Sequence, residues 1–430
     1  MSTPSRFSLI GGRLIDPANG IDGITDLHIA DGRIAAVGAP PPGFRAEARL
    51  DADGRIVCPG LVDLCARLRE PGAEQKGTIA SETRAAAAGG ITTLCAQPDT
   101  DPVIDTPADA ELIRRRARQQ ATARVLPVGA LTMNLDGERL SEMAALRDAG
   151  CVALSDGGRP LDNTRVIRRL MEYAATFDIL CMLHPMDAQL CDGGCAHEGA
   201  VSARLGLPGI PEAAETVAVA RNLALAAHTG SRLHLRGLSC ATAAVMLRRA
   251  RHDRVRVSAD VAAHQLFLTE MDIDGFDSSC HVIPPLRTLA DRDGLRHSVA
   301  VGAIGAISSD HQPHEADAKL APFPETEPGI SGLETLLPLV LKLVDEGLLT
   351  LPEAIARVTQ GPAEILGLPL GRLNVGASAD ICVFDPEATW RLRAADLHSR
   401  GHNTPFDGWE FRGRVLQTFF EGRLTFEQRP

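Results

Sequence analysis

The chain of 430 residues is poor in lysine and in aromatic side chains. Its only lysines are Lys76, Lys319 and Lys342, so nearly all of its basic side chains are arginines. Phe, Trp and Tyr together make up 3% of the residues. The formal net charge of −11 argues against a broad surface for nucleic acid or anionic lipid. We therefore expect no nucleic acid and no membrane among its partners.

Long apolar runs are also lacking. No run reaches the roughly 18 apolar residues that a membrane-spanning helix needs, and the N-terminal stretch lacks the apolar centre of a signal peptide. The ten cysteines are dispersed, unlike the dense disulfide framework of a small secreted domain. We expect a cytoplasmic protein. The one cluster, Cys191-Asp-Gly-Gly-Cys195-Ala-His197, lacks a second pair of zinc ligands, and we interpret it as a glycine-rich loop.

What the chain has in quantity is apolar residues and potential metal ligands. Hydrophobic residues make up 44% of the chain, which is enough for a large buried core. There are 13 His and 10 Cys residues. These counts alone suggest ample material for a metal site, so the positions of the ligands decide the interpretation.

Both ends of the chain have the pattern of short strands and tight turns. Ala30-Asp31-Gly32-Arg33-Ile34 and Ala52-Asp53-Gly54-Arg55-Ile56 are near-copies with Asp-Gly hairpin signals. Phe420-Glu421-Gly422-Arg423-Leu424 predicts a further hairpin, after a strand at 379–384. We expect residues 1–58 and 366–430 to form one small β-domain from both termini.

Between the two ends, residues 59–365 alternate between strands and helices. Thr106 is predicted as a helix N-cap, followed by Pro107, and Asn163 as another N-cap. Further helices are predicted at 138–149, 212–228, 241–250 and 332–347. Strands are predicted up to Leu64 and at 91–96, 124–128, 152–155, 179–183, 232–235, 254–257 and 303–307. About eight such units favour a (β/α)₈ TIM barrel, whose chemistry lies at the carboxyl ends of its strands.

The residues at these strand ends resemble a known family. Pro59-Gly-Leu-Val-Asp-Leu64 and Leu68-Arg-Glu-Pro-Gly72 resemble the dihydroorotase branch of the amidohydrolase superfamily. The other matching motifs, in the family's order, are Gly89-Gly-Ile-Thr-Thr93, Leu154-Ser-Asp-Gly157, Leu205-Gly-Leu-Pro-Gly-Ile-Pro211, Pro284-Pro-Leu-Arg287, Asp310-His-Gln-Pro-His314 and Asn403-Thr-Pro-Phe-Asp407. The resemblance spans nearly the whole chain. It implies an amidohydrolase-type barrel with a β-sandwich from both termini, and a zinc-dependent closure of N-carbamoyl-aspartate to dihydroorotate.

Three zinc-binding histidines of the family are missing from this chain. Where the family has His-x-His at the end of the first strand, this sequence has Cys65-Ala-Arg67. Where it has a histidine after the sixth strand, the match is Gly237. Arg67 stays protonated and has no lone pair to offer a metal. Its charge would repel a dication by an amount on the order of several kcal/mol in a partly dry interior.

The resemblance places three other family ligands at residues that this chain keeps. They are Asp156 at the bridging position, His184 after the fifth strand and Asp310, which in the family is also the general base. With Cys65, these three side chains could in principle hold one zinc ion. The alternative is that they are vestigial and form salt bridges with Arg67. We expect no cofactor.

The substrate contacts implied by the resemblance are altered as well. Arg69 and His314 match family residues that contact the substrate. The family has asparagine where this chain has Asp99 and Ile283. A carboxylate at position 99 would repel a dianionic substrate. His264 resembles a further strand-end histidine, but its apolar segment favours a core role; His28, His252, His297, His398 and His402 are predicted at the surface.

These departures predict a catalytically inactive homologue of dihydroorotase in pyrimidine biosynthesis. Family members that lack the zinc-binding histidines serve in some bacteria as non-catalytic subunits of aspartate carbamoyltransferase, and the pattern here resembles theirs. The resemblance implies a mixed dodecamer with the carbamoyltransferase catalytic chain and a homodimer of this chain. One alternative is an active dihydroorotase or cyclic amidase with a single zinc on Cys65, Asp156, His184 and Asp310. Another is a sensor that binds a carboxylate at Arg69 and His314.

Overall fold

A computed structural model describes residues 4–428, and the terminal parts of the predicted β-domain at 1–3 and 429–430 lie outside it. Eight parallel strands form the central sheet: Leu61–Ala66, Ile91–Ala96, Arg124–Ala130, Ala153–Ser155, Leu180–Leu183, Arg232–Leu235, Val257–Ala262 and Ala306–Ser308. We call them the first to eighth barrel strands. The sheet closes where His311 N donates to Cys65 O and Arg67 N donates to His311 O. The predicted barrel is confirmed.

Helices surround this barrel. The α-helices are Ile79–Ala88, Pro107–Gln120, Met143–Asp148, Thr164–Thr176, Ala188–Cys191, Ala200–Leu205, Glu212–Thr229, Ala241–His252, Leu289–Ala300, Leu336–Asp345, Leu351–Val358 and Gln360–Leu366. Short 3₁₀ turns are Pro17–Asn19, Met133–Leu135, Ala263–Leu266, Glu270–Ile273, Ser278–Cys280, Ala316–Lys319, Phe323–Glu325, Leu333–Thr335 and Ala394–Asp396. Thr106 and Asn163 cap their helices through side-chain oxygens, as predicted. No helix in the described part of the chain is long and apolar enough to cross a membrane.

Two further sheets come from the ends of the chain. A four-stranded sheet has the order Arg33–Val37, Leu27–Ala30, Arg6–Ile10, Ala48–Asp51. A six-stranded sheet has the order Arg423–Glu427, Glu410–Phe420, Ile381–Arg391, Ile56–Pro59, Arg13–Asp16, Ile21–Ile24. The rings of Phe7 and Phe419 stack 5.1 Å apart in the apolar layer between these sheets. This is the predicted β-sandwich of both termini. A two-stranded ribbon, Ala196–His197 with Gly209–Ile210, completes the strands.

Several local predictions are wrong. The strand predicted at 254–257 begins only at Val257, because Arg254 takes a φ of 63° in the turn that ends the preceding helix. The strand predicted at 303–307 begins at Ala306, since the amides of Ala303 and Ile304 still bond to Ser298 O. The helix predicted at 138–149 begins at Met143, because Leu140 forms a β-bridge with Thr132.

One hairpin and one surface histidine are also corrected. Asp53-Gly54 does not join paired strands: it connects Ala48–Asp51 of one terminal sheet to Ile56–Pro59 of the other. The hairpins at Asp31-Gly32 and at Glu421-Gly422 are present. His28 is buried, with Nδ1 2.8 Å from Ser8 Oγ and Nε2 2.8 Å from Gly38 O, because its strand lies inside the β-sandwich.

Candidate functional site

The barrel brings the predicted strand-end residues to one mouth. Cys65 lies in the first strand and Arg67 directly follows it, while Asp156 and His184 directly follow the fourth and fifth strands. Asp310 comes two residues after the eighth strand. Carboxyl ends of parallel barrel strands meet at one face, so residues distant in sequence become neighbours there. The site therefore assembles at the position that the sequence indicated.

Arg67 is buried among carboxylates and a backbone carbonyl. Its Nε donates to Asp99 Oδ2 over 2.6 Å, and its Nη1 lies 3.7 Å from Asp310 Oδ1. Its Nη2 donates to Gly157 O over 3.2 Å. Burial alone would raise the pKa of Asp99, but the charges of Arg67 and Arg69 hold it below its usual range. Asp99, the substitution that removes the family's asparagine, thus serves as the partner of the arginine.

A second arginine, Arg236, occupies the same space, and the sequence interpretation missed it. It directly follows the sixth strand and is 4% exposed. Its Nη1 donates to Cys65 Sγ over 2.7 Å and lies 4.0 Å from Asp310 Oδ1. It also lies 3.4 Å from Gln97 Oε1. The only signal in the sequence was a basic residue immediately after a buried strand.

The two guanidinium groups meet over a glycine. A Cβ atom at Gly158 would lie 2.9 Å from Arg67 Nη2 and 3.1 Å from Arg236 Nη2. Gly158 also has a φ of 84°, which L side chains rarely adopt. Within the described part of the chain, Nη1 of Arg67 and Nε of Arg236 are buried without a hydrogen-bond acceptor. The centre of the mouth is therefore filled by two cations.

Of the three retained ligand positions, Asp156 and Asp310 accept hydrogen bonds within the protein and His184 is neutral. Asp156 accepts from the amides of His184 and Gly158, over 2.8 and 2.9 Å. Burial raises the pKa of Asp156 to about 6. Burial, and then the charge of Arg236, lower the pKa of His184 to about 3, so its imidazole is neutral near pH 7. Asp310 accepts from Cys65 Sγ over 3.2 Å and from Gln312 Nε2 over 3.2 Å.

This donor set does not fit a divalent metal ion. Within residues 4–428, no three His, Cys, Asp or Glu side chains converge as a metal site would require. Two fixed positive charges stand within 4.0 Å of Asp310 Oδ1. The thiol of Cys65 faces Arg236, and burial raises its pKa well above the usual range, which disfavours the thiolate that zinc needs. Gly237 carries no ligand and has a φ of 65°.

The predicted substrate contacts lie together beside this centre. Arg69 Nη2 is 3.1 Å from His314 Nε2, which is also 3.0 Å from Pro328 O. Lys76 Nζ lies 3.3 Å from His314 Nδ1. Burial and the charges of Arg69 and Lys76 lower the pKa of His314 to about 2, so this histidine is neutral. Ile283 packs instead against the apolar cluster of Met186, Ile210 and Ala214.

The remaining candidates from the sequence are Cys191, His197 and His264. Cys191 ends a short helix, and His197 Nδ1 receives a hydrogen bond from the buried Arg287 over 3.0 Å. His264 is 3% exposed, and burial lowers its pKa to about 4, in keeping with a core histidine. Within residues 4–428, Cys191 and His197 make no contact with Arg67 or Arg236, whereas His264 comes two residues after the seventh strand and the charge of Asp310 acts on its imidazole.

Comparison with known proteins identifies the family. A model described as "Dihydro-orotase-like" matches residues 54–242, and one described as "Amidohydrolase family" matches residues 342–426. A "Dihydroorotase-like protein" of Pseudomonas putida is 53% identical over 418 residues, which cover 97% of this chain and 98% of that protein. The chain belongs to the dihydroorotase-like amidohydrolases. A protein named "Dihydroorotase" from Syntrophotalea carbinolica is 44% identical over 421 residues, covering 98% of this chain and 99% of that one.

Solved structures agree with this family's fold. L-hydantoinase (dihydropyrimidinase) from Arthrobacter aurescens superposes with a TM-score of 0.89 at 23% identity, over 99% of this chain and 96% of that chain. A dihydropyrimidinase from Brevibacillus agri gives a TM-score of 0.86 at 20% identity, over 97% and 94% of the two chains. At these identities the likeness concerns the fold alone. The dihydroorotase-like barrel with its terminal β-sandwich is therefore shared with hydantoinases.

Proposed function

We propose that this dihydroorotase-like chain is non-catalytic and acts as a structural subunit that assembles aspartate carbamoyltransferase in pyrimidine biosynthesis. The observation that carries the loss of catalysis is the pair of buried arginines at the strand ends. Arg236 donates to Cys65, and Arg67 is paired with Asp99 and lies near Asp310. The two guanidinium groups occupy the space where the family resemblance implies a zinc site.

The chemistry of the family requires what these residues cannot supply. Hydrolysis and closure of a cyclic amide need a Lewis acid to polarise the carbonyl, together with a poised base. Asp310 is the base position implied by the resemblance, but its Oδ1 accepts from Cys65 and its Oδ2 accepts from Gln312. Both oxygens of this carboxylate are therefore already engaged by neighbouring side chains, and the two cations beside it disfavour the metal ion that would activate a water. The barrel, in contrast, keeps its eight strands, its helix N-caps and its closure. We therefore propose that the fold is retained although the catalytic activity is lost.

Enzyme assays test the loss of catalysis directly. The purified full chain, supplemented with zinc, is assayed with N-carbamoyl-aspartate and with dihydroorotate, beside an active dihydroorotase prepared in the same way. We expect turnover no greater than the buffer blank. Turnover at ordinary enzyme rates would refute the proposal and favour the alternative of a single zinc on Cys65, Asp156, His184 and Asp310. In that case one zinc per chain, lost in the His184→Ala variant, would identify the site.

The assembly role rests on the family resemblance, and co-expression tests it. The chain is co-expressed with the aspartate carbamoyltransferase catalytic chain of the same organism and separated by size-exclusion chromatography with light scattering. We expect both chains in one peak with the mass of a mixed dodecamer. Separate elution of the two chains at micromolar concentration would refute the role.

A site variant provides the matched control for that experiment. Arg69→Gln removes the positive charge at the substrate position while leaving the Arg67–Asp99 and Arg236–Cys65 contacts in place. If the chain acts as a scaffold, this variant should co-elute with the catalytic chain as the unaltered protein does. A complex that is lost in Arg69→Gln and strengthened by dihydroorotate would favour the carboxylate sensor instead.

A further inference from the structure

At the opposite end of the barrel, four arginines line a cavity of about 520 Å³. This cavity, which we call the basal pocket, lies at the amino-terminal ends of the sixth, seventh and eighth strands. Its arginines are Arg232, Arg251, Arg256 and Arg357. It is separated by the length of the barrel strands from the mouth that holds Arg67 and Arg236. The basal pocket is therefore separate from the residues on which the proposed function rests.

The charge of the basal pocket is opposite to that of the whole protein. The chain carries a formal net charge of −11, but Glu364 is the one acidic residue among those that line this cavity. Asp178, nearby, forms ion pairs with Arg256 at 2.7 Å and with Arg232 at 3.6 Å. When Asp178 and Glu353, which acts on Arg357, are counted as well, one positive charge remains uncompensated. A pocket of this kind attracts anions and repels cations.

Backbone carbonyls hold two of these guanidinium groups in place. Arg251 Nη1 donates to Gly302 O over 2.9 Å and to Ala303 O over 2.6 Å. Arg357 donates through Nε and Nη2 to Val299 O, over 3.3 and 3.0 Å. Within the described residues, Nε and Nη2 of Arg251 and Nη1 of Arg357 have no protein acceptor. The protein thus fixes the orientation of Arg251 and Arg357 and leaves some of their N–H groups available to a ligand.

The two oriented arginines also repel each other. Burial lowers the pKa of Arg357, the nearby Glu353 acts in the opposite direction, and the charge of Arg251 lowers it further. An anion between the two groups would relieve this repulsion and accept their unused N–H groups. Guanidinium forks match the paired oxygens of phosphate in geometry and in charge.

One part of the wall is apolar. Leu233, Val255 and Ile365 line the pocket beside the arginines. A volume of about 520 Å³ lies in the range of small-molecule sites. We propose that the basal pocket binds a small molecule with two or more phosphate groups, which contact Arg251 and Arg357, while an apolar part lies against this wall. The spread of four arginines along the cavity favours several phosphates over one.

Isothermal titration calorimetry on the full chain tests this site, with inorganic triphosphate and pyrophosphate as probes. We expect saturable binding of one triphosphate per chain, weakened by added salt because the contacts are ionic. Citrate, a polyanion of carboxylates, should bind at least tenfold more weakly. Absence of saturable heat up to millimolar triphosphate would overturn the proposal, and citrate binding as tight as triphosphate would overturn the assignment to phosphate.

Variants separate a ligand site from a purely structural role of the arginines. Arg251→Gln/Arg357→Gln should lose at least tenfold in affinity for triphosphate, whereas Arg118→Gln and Arg139→Gln, at exposed arginines elsewhere, should change it less than twofold. The double variant also loses the hydrogen bonds to backbone carbonyls, so a second variant is needed that keeps the arginines. Ala356→Glu adds a carboxylate to the pocket and leaves all four arginines present. It should abolish binding without unfolding the chain. Unchanged affinity in both pocket variants would overturn the proposal.

Discussion

Arg236 donates a hydrogen bond to the thiol of Cys65 over 2.7 Å, across 171 positions of sequence. Cys65 lies in the first barrel strand and Arg236 directly follows the sixth, and these are the two strands at whose ends zinc-binding histidines are missing from this chain. A contact between a neutral thiol and a cation therefore joins the two strands. Asp310, 3.2 Å from the same sulfur, connects this contact to Arg67. The centre of the mouth is thus a network of ion pairs and hydrogen bonds.

Removal of Arg67 should destabilise the protein strongly. Arg67→Met keeps the length of the side chain but leaves the largely buried Asp99 without its hydrogen-bonded cation, with only the more distant charges of Arg69 and Arg236. Breaking a buried pair on one side typically costs about 3–5 kcal/mol. We expect a loss of this size in the free energy of unfolding in urea.

The matched control is Arg13→Met, which breaks an exposed ion pair with Asp22 at 2.7 Å. Exposed pairs contribute about 1 kcal/mol or less. If Arg67→Met costs no more than Arg13→Met, the buried network around Arg67 does not stabilise the barrel.

The barrel and the gathering of strand-end residues could be predicted from the sequence because both follow from local patterns. Alternating strand and helix signals give the barrel, and parallel strands must place their carboxyl ends at one face. Cys65, Arg67, Asp156, His184 and Asp310 therefore came together as expected. The ion pair between Asp99 and Arg67 was not expected. Whether the two side chains meet depends on the register between the first and second barrel strands, which a single sequence does not show.

Arg236 was missed for a physical reason. The alternation of side chains along a strand predicts which face of the sheet a residue lies on, but only within the strand. The sixth strand ends at Leu235, so this rule does not apply to Arg236. Beyond that residue the chain turns through Gly237, with a φ of 65°, and the turn decides where Arg236 points. Arg254, with a φ of 63°, displaced the predicted seventh strand in the same way. Positive φ values at residues other than glycine carry little signal in a single sequence.

Restoring the missing histidines should not restore a zinc site. The Cys65→His/Arg67→His/Gly237→His variant returns three imidazoles but keeps the charge of Arg236 within the site. Residue 237 also has a left-handed backbone, where histidine costs about 1–3 kcal/mol. We expect far less than one zinc per chain by elemental analysis after dialysis. A full equivalent of zinc would contradict the interpretation of Arg236 as the substitute for the metal.

A second glycine serves as a control for the backbone strain that histidine would introduce at position 237. Gly237 and Gly230 have φ values of 65° and 71°, and at neither would a Cβ meet a neighbouring atom within 4 Å. Gly230 ends a helix at the far side of the barrel. Gly237→His and Gly230→His should therefore lower the urea midpoint by similar amounts. A much larger loss at Gly237 would mean that the imidazole clashes with the arginines.

The stability of the protein should fall as the pH decreases from 6 to 5. Burial lowers the folded-state pKa of four histidines to between about 2 and 4: His184, His264, His281 and His314. The unfolded chain takes up protons on these groups near pH 6.5, whereas the folded chain does not, so their contribution to stability is lost on acidification. Burial raises the pKa of Asp63 and Asp156 to about 6, which has the opposite sign in this interval.

These four histidines and two aspartates give a net uptake of about two protons on unfolding, equivalent to about 2–3 kcal/mol per pH unit. The lowered pKa of His197 and the raised pKa of Glu215 act in opposite directions and leave this slope similar. Urea unfolding at pH 5, 6 and 7 measures this slope. Greater stability at pH 5 than at pH 6 would mean that the buried histidines are charged in the folded protein. In the His264→Gln variant the slope should decrease by about one proton, because this histidine lies in the core and its pKa is lowered by burial.

Only one of the ten cysteines should react with a thiol reagent in the native protein. Nine cysteines are buried, and Cys191 alone is partly exposed, at the end of a short helix. Burial raises the pKa of Cys191, so even this thiol should react slowly at pH 8. With a disulfide reagent such as dithionitrobenzoate, we expect one thiol to react in the native protein and ten in urea. Cys191→Ser should abolish the native reaction. A second native thiol that reacts at a similar rate would contradict this expectation, and if peptide mapping assigned it to Cys65, Cys95 or Cys181, it would show that a barrel strand opens locally.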